Sequence, residues 1–224
     1  MGFYHFSNNN LAIRKQCAID AGLYDPAMRT SEDVDFCFRV AGCKDWVACR
    51  EPGVVVRHKA RRTLGGLVKQ LWGWGINLGR AYRKTRIKGI YLHWVSSTKH
   101  AVSGDLQTRM FPVLICAFFT AFHVAHLVGA GAIALATMGL MLPAAIAGVL
   151  AILLLLRSMH AVLRMDLGLW RRVKLAAVAY IGNVVFITAA FIGGLRVGVF
   201  LICSSMYPPR EVLTRHSGEG GLDN

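Results

Sequence analysis

Negative charge is scarce in this chain. Twelve Asp and Glu stand among 224 residues against 26 Lys and Arg, and charged residues of both signs make up only 17%. So little charge beside 54% hydrophobic residues excludes a disordered chain and an ordinary soluble domain, and points to a membrane protein. A secretory signal is also missing: residues 1–20 hold Arg14 and Lys15 but no apolar stretch of seven or more, so the N-terminal segment is expected to stay in the cytoplasm. The six cysteines, at 17, 37, 43, 49, 116 and 203, form no CxxC pair and no zinc spacing, which leaves buried or free thiols. No nucleic-acid-binding module accompanies the +14 net charge. Positive excess beside apolar runs then means contact with anionic headgroups or cytoplasmic retention.

From Met110 to Leu156, 47 consecutive residues carry no Asp, Glu, Lys or Arg. As one helix this run would extend about 70 Å, more than twice a hydrocarbon core of about 30 Å. Gly139 to Pro143 supplies a break, so the pattern predicts spans at about 112–136 and 142–158. Leu175 to Leu195 is again uncharged and predicts a third span, at about 175–200. Between them lie Arg157, Arg164, Arg171, Arg172 and Lys174 with the single acid Asp166. Three spans would put this loop and the basic residues 1–109 on one face, as the positive-inside rule requires, with the polar tail 204–224 on the other. The expected location is the plasma (inner) membrane, multi-pass, with a cytoplasmic N-terminal domain.

Residues 61–109 read as an interfacial amphipathic helix and a linker. Leu64, Leu67, Val68, Leu71, Trp72, Ile76 and Leu78 recur at helical spacing over Thr63 to Lys84, with basic residues around them. Gly65, Gly66, Gly73, Gly75 and Gly79 oppose that helix by about 1 kcal/mol each, which docking on lipid or on the spans would offset. His123 and His126 suit either a buried ion or proton path or plain packing.

The chemistry-bearing segment is Ser7 to His58. It holds Ser7-Asn8-Asn9-Asn10-Leu11-Ala12-Ile13-Arg14-Lys15, Ala21-Gly22-Leu23-Tyr24-Asp25, Ser31-Glu32-Asp33-Val34-Asp35-Phe36-Cys37-Phe38-Arg39, and Glu51-Pro52-Gly53-Val54-Val55-Val56-Arg57-His58. Glu32, Asp33 and Asp35 crowd three carboxylates into four positions. Two explanations stand open: a helix start capped by Ser31, where the macrodipole favours acids, or a repelling cluster in which one raised pKa makes a general base. Val54-Val55-Val56 reads as a short buried strand ending at His58, a possible metal ligand or a structural residue.

Together these segments resemble the C-terminal, acceptor-side half of membrane-anchored family 2 glycosyltransferases of the GT-A fold. The resemblance covers about residues 4 to 86, and it implies an α/β partial GT-A-like domain over 1–60 followed by an all-α membrane region. It implies inverting transfer from a nucleotide-sugar donor to a lipid-linked or glycan acceptor, in polysaccharide or glycolipid synthesis. Asp33 would be the catalytic base and Glu32 would orient the acceptor or tune that base. Asn10, Arg14 and Asp35 would border the donor and acceptor pocket. His58 would be a ligand to a divalent ion, Mg or Mn, that neutralises the leaving diphosphate.

Two departures qualify the resemblance. The processive Gln-x-x-Arg-Trp motif is replaced by Gln70-Leu71-Trp72-Gly73-Trp74, which argues for a non-processive enzyme. The nucleotide-binding half with its DxD motif is missing ahead of these residues, and Asp33-Val34-Asp35 belongs to the acceptor-side cluster. The expectation is therefore a partial domain, completed by upstream sequence or by a partner chain. Two alternatives are a non-catalytic membrane scaffold or partner subunit of a synthase, and a transport role through the two histidines.

Overall fold

A computed structural model describes residues 11–43, 61–85, 89–95, 102–108 and 113–203. The protein is mostly helical with a small sheet. In chain order the elements are α1 (Lys15–Asp20), α2 (Glu32–Gly42), α3 (Leu64–Thr85), β1 (Gly89–Val95), β2 (Val102–Thr108), β3 (Leu114–Phe119), α4 (Ala121–Thr137), α5 (Met141–Ser158), α6 (His160–Leu163), α7 (Leu169–Arg196) and β4 (Val199–Ile202). The strands are ordered β2-β1-β3-β4. Two compact units result. The first draws on Met1–Tyr91, Gln107–Cys116 and Val185–Ile202, the second on Leu92–Leu106, Ala117–Val184 and Cys203–Asn224.

In the first unit α3 is the organising helix, packed on α2 and on β4. Its glycines make this possible. A Cβ on Gly75 would lie 2.6 Å from the Phe186 carbonyl oxygen and 2.8 Å from the Ala189 Cβ, and one on Gly79 would lie 2.6 Å from the Gly194 Cα. Gly75-x-x-x-Gly79 thus meets Ala189, Ala190, Gly193 and Gly194 of α7 backbone to backbone, the small-residue contact that membrane helices use. This close packing offsets the helix cost of those two glycines. After α7 the chain reverses at Gly198, whose φ of +71° suits a residue without a Cβ. β4 then folds back so that the Val199 carbonyl oxygen would come within 2.6 Å of a Cβ on Gly194. Alternate residues Val199 and Leu201 of β4, with Leu114 and Cys116 of the neighbouring β3, are fully buried, the period-2 pattern of strands with one packed face. Met28, Val34 and Ala81 form a smaller buried cluster, with Leu78 packed against it.

The second unit is built on the α4–α5 hairpin, the most closely associated helix pair. Its turn uses Gly139 at a φ of +77°. Thr120 starts α4 with a capping box in which the side chain of His123 reaches back to the Thr120 N–H at 3.2 Å. His126 is held at both ring nitrogens, Nδ1 at 2.7 Å from the Phe122 carbonyl and Nε2 at 3.0 Å from the Tyr180 hydroxyl of α7. Both histidines therefore have structural partners. α5 buries almost only Ala144 and presents Leu142, Ile146, Val149, Ile152, Leu153 and Leu156 outward. An apolar helix exposed nearly all round requires an apolar surrounding.

Among the described residues two helices, not three, are long and apolar enough to cross a membrane, Met141–Ser158 and Leu169–Arg196. The span predicted at 112–136 divides. Residues 114–119 are strand, and the helix that follows has 17 residues, about 26 Å of rise against a core of about 30 Å. The reason is local: Val113-Leu114-Ile115-Cys116-Ala117-Phe118-Phe119 is rich in β-favouring residues, and Thr120 caps the helix behind it. An uncharged run cannot distinguish a buried strand from a helix segment. With two crossings the chain returns to its starting face, so counting spans no longer places both basic segments on one side. The last span also begins six residues earlier than predicted and ends at Arg196 rather than 200. In the segment read as linker, 89–95 and 102–108 are strands β1 and β2.

Candidate functional site

Asn10 and His58 lie outside the described residues, as does the strand expected at Val54 to Val56. Glu32, Asp33 and Asp35 open α2, the first of the two explanations open for the acidic cluster. Ser31 precedes them, but not as the expected side-chain cap. Its backbone is left-handed, with φ 62°, and its hydroxyl donates to the Trp74 carbonyl of α3 at 3.3 Å. Neighbouring Thr30 donates to the Gly73 carbonyl at 2.9 Å and accepts from the Asn77 amide at 2.8 Å. The start of α2 is thus pinned to α3 by hydroxyl bonds instead of being capped. The middle of α3, from Gly73 to Asn77, fixes where the acidic turn stands.

The three carboxylates then diverge. Asp35 is 1% exposed and accepts from Arg39 Nε at 3.2 Å and Nη2 at 3.0 Å, one helical turn on. Lys84 Nζ of α3 stands 4.0 Å from the same oxygen and is also paired with Asp25. Arg39 donates in addition to the Ala21 carbonyl, and its guanidinium lies 5.5 Å from the Phe36 ring centroid. Asp35 is therefore the anion of a buried polar network, held by two cations from two helices. Glu32 and Asp33 are only half-buried, and Asp33 Oδ1 accepts from the Val34 N–H at 2.9 Å.

The turn before α2 completes the arrangement. Tyr24 stacks on Phe36 at 4.2 Å between centroids. Desolvation raises the pKa of its phenol, and Cys37, Asp33 and Glu32 nearby raise it further. Asp25 is held below the usual carboxylate range, first by its hydrogen bond from Lys84 and then by the Ala27 N–H at 2.8 Å. Asp35, Phe38, Arg39 and Lys84 line an open cavity of ≈ 320 Å³. It is large enough for a small polar group and offers both cations and an anion.

Arg14 is exposed just before α1, and among the described residues no hydrogen bond or ion pair joins it to the acids of α2. Among the described residues no three His, Cys, Asp or Glu are grouped to hold a metal ion, so a divalent site would depend on His58 and other residues outside them. The sequence reading missed the roles of Arg39, Thr30, Asn77 and Lys84. The i,i+4 spacing of Asp35 and Arg39 is a readable signal. The Lys84–Asp25 pair, 59 residues apart, has none. No known protein family, curated protein or solved structure matches the chain.

Proposed function

We propose that this chain carries the acceptor side of an inverting, nucleotide-sugar-dependent glycosyltransferase that works at a membrane, in polysaccharide or glycolipid synthesis. The carrying observation is the division of labour within the acidic segment. Asp35 is neutralised and buried by Arg39 and Lys84, while Asp33 and Glu32 remain half-buried beside Tyr24. In this reading Asp33 takes the proton from the acceptor hydroxyl as that oxygen attacks the anomeric carbon. Glu32 orients the acceptor, and the bond to the nucleoside diphosphate breaks on the opposite face. The same reading assigns acceptor and donor binding to Asn10 and Arg14 and would have His58 help to hold a Mg or Mn ion, which would supply charge neutralisation for the leaving diphosphate. The nucleotide-binding half comes from further sequence or a partner chain. In this reading the site works on the cytoplasmic side of the plasma membrane, where lipid-linked acceptors are available, and the two long apolar helices support a membrane setting.

The test uses membranes from cells making the native protein. Transfer of radiolabel from a panel of nucleotide sugars into lipid-extractable or polymeric product is compared for the wild type, Asp33→Asn and an empty strain. Loss of a general base lowers the rate by about 10²–10⁴-fold. Wild-type transfer by Asp33→Asn would exclude that residue as base. No protein-dependent transfer from any donor, with a nucleotide-binding protein co-purifying, would favour the scaffold role.

A further inference from the structure

The connection between the two long apolar helices carries more positive charge than its own structure uses. Arg157 closes α5, Arg164 stands in the turn, Arg171, Arg172 and Lys174 occupy the first two turns of α7, and Asp166 is the one acid among residues 157–174. Arg172 serves the local fold, donating to the carbonyls of Leu163 and Leu167. Arg157, Arg164, Arg171 and Lys174 are exposed. No acid stands in the first turn of α7, where the macrodipole is positive and disfavours cations unless an anion answers them. Beside these cations Leu169 is 77% and Trp170 68% exposed, with Lys174 Nζ 5.2 Å from the Trp170 ring centroid. Exposed Trp at the end of an apolar helix belongs at the headgroup level of a bilayer.

We infer that the 157–174 connection is a binding surface for the phosphodiester headgroups of anionic lipids, with Leu169 and Trp170 set into the headgroup boundary. Charge complementarity selects this occupant. The cations flank the ends of two helices whose apolar lengths match a bilayer, so the anions densest at that level are lipid phosphates. The inference rests on the membrane placement of α5 and α7, and it is independent of sugar transfer.

The full chain is reconstituted into phosphatidylcholine vesicles containing, at equal mole fraction, either brominated phosphatidylglycerol or brominated phosphatidylcholine. Trp170 fluorescence is obtained as the difference between wild type and Trp170→Phe. Brominated phosphatidylglycerol is expected to quench Trp170 more strongly. Arg164→Gln/Arg171→Gln lowers that preference at least about fivefold, since each cation near a charged surface contributes about one such factor. Arg61→Gln/Arg62→Gln leaves it unchanged. Equal quenching by the two lipids, or an unaltered preference in the Arg164/Arg171 variant, overturns the inference. So does loss of the preference on adding excess inorganic phosphate, which would make free phosphate the ligand. Quenching by neither lipid would show that Trp170 does not meet the bilayer and would remove the membrane placement, while leaving the radiolabel assay to decide the transferase reading.

Discussion

The sharpest prediction concerns Gly79 against Gly73, two glycines of α3 six residues apart. Gly73→Ala adds a methyl where no atom lies within 4 Å, so it gains only the helix preference of Ala over Gly, about 1 kcal/mol. Gly79→Ala gains the same but places its Cβ 2.6 Å from the Gly194 Cα and 2.8 Å from the Gly194 nitrogen. Both are backbone atoms of α7, so no side chain can rotate away and the helices must separate by about 1 Å to reach an ordinary carbon contact. Overpacking of this kind costs about 1–3 kcal/mol. Because the preference gain is common to both variants, their difference isolates the clash. At about 2–4 °C per kcal/mol for a chain of this size, a clash of about 2 kcal/mol separates the two Tm values by about 4–8 °C. Heating the detergent-solubilised chain and measuring the fraction that remains monodisperse by size exclusion gives both values. Gly79→Ala melting at or above Gly73→Ala would refute the close docking of α3 on α7.

Four further outcomes follow from the polar contacts. Asp35→Asn leaves Arg39 and Lys84 facing a neutral group in a buried network, and with Arg39 partly exposed it is expected to cost about 1–3 kcal/mol. Asp33 is half-buried where Asp35 is 1% exposed, and Asp33→Asn keeps an oxygen for the Val34 N–H, so it is expected to cost less than Asp35→Asn in the same melting assay. Asp25 has a folded-state pKa below its unfolded value of about 3.9, so its contribution is complete above that pH and is lost as pH falls through the lower folded value. Lys84→Met should flatten the decline of Tm below about pH 4, and an unaltered acid limb would show that the pair adds nothing. Tyr180→Phe keeps the ring against His126 but removes the 3.0 Å bond to its Nε2. A loss of about 0.6 kcal/mol, or about 1–3 °C in Tm, is expected, and no change would mean that the Tyr180 hydroxyl adds nothing to holding the histidine.

Much of the helical framework was legible because its signals are local. The 3.6-residue spacing of Leu64, Leu67, Leu71 and Leu78 located α3, and a helix start, one of the two readings of the acids after Ser31, is the one the structure bears out for α2. Gly139 with Pro143 located the break between α4 and α5. The strands were not legible. Val113 to Phe119 is apolar without a period, and Gly89–Val95 and Val102–Thr108 show no regular apolar–polar alternation, so neither hydropathy nor local preference separates sheet from linker there. Ser31 was misassigned because a hydroxyl before an acidic helix start looks like a cap whether it bonds to its own helix or to Trp74 of another.

Composition and short-range pattern alone determined that the chain is rich in apolar residues, where its uncharged runs lie, and which segment concentrates carboxylates. These follow from transfer free energies and helix geometry, which depend on each residue and its near neighbours. Tertiary structure alone decided that two helices rather than three have membrane-spanning length among the described residues, and that Gly75 and Gly79, costly to an isolated helix, are points where α3 meets α7. It alone decided that Asp35, one of three equivalent-looking acids, is consumed by Arg39 and Lys84 while Asp33 is left half-buried. Burial and charge pairing depend on residues that come together only when the chain folds, and Lys84 reaches the acidic turn from 49 residues beyond Asp35.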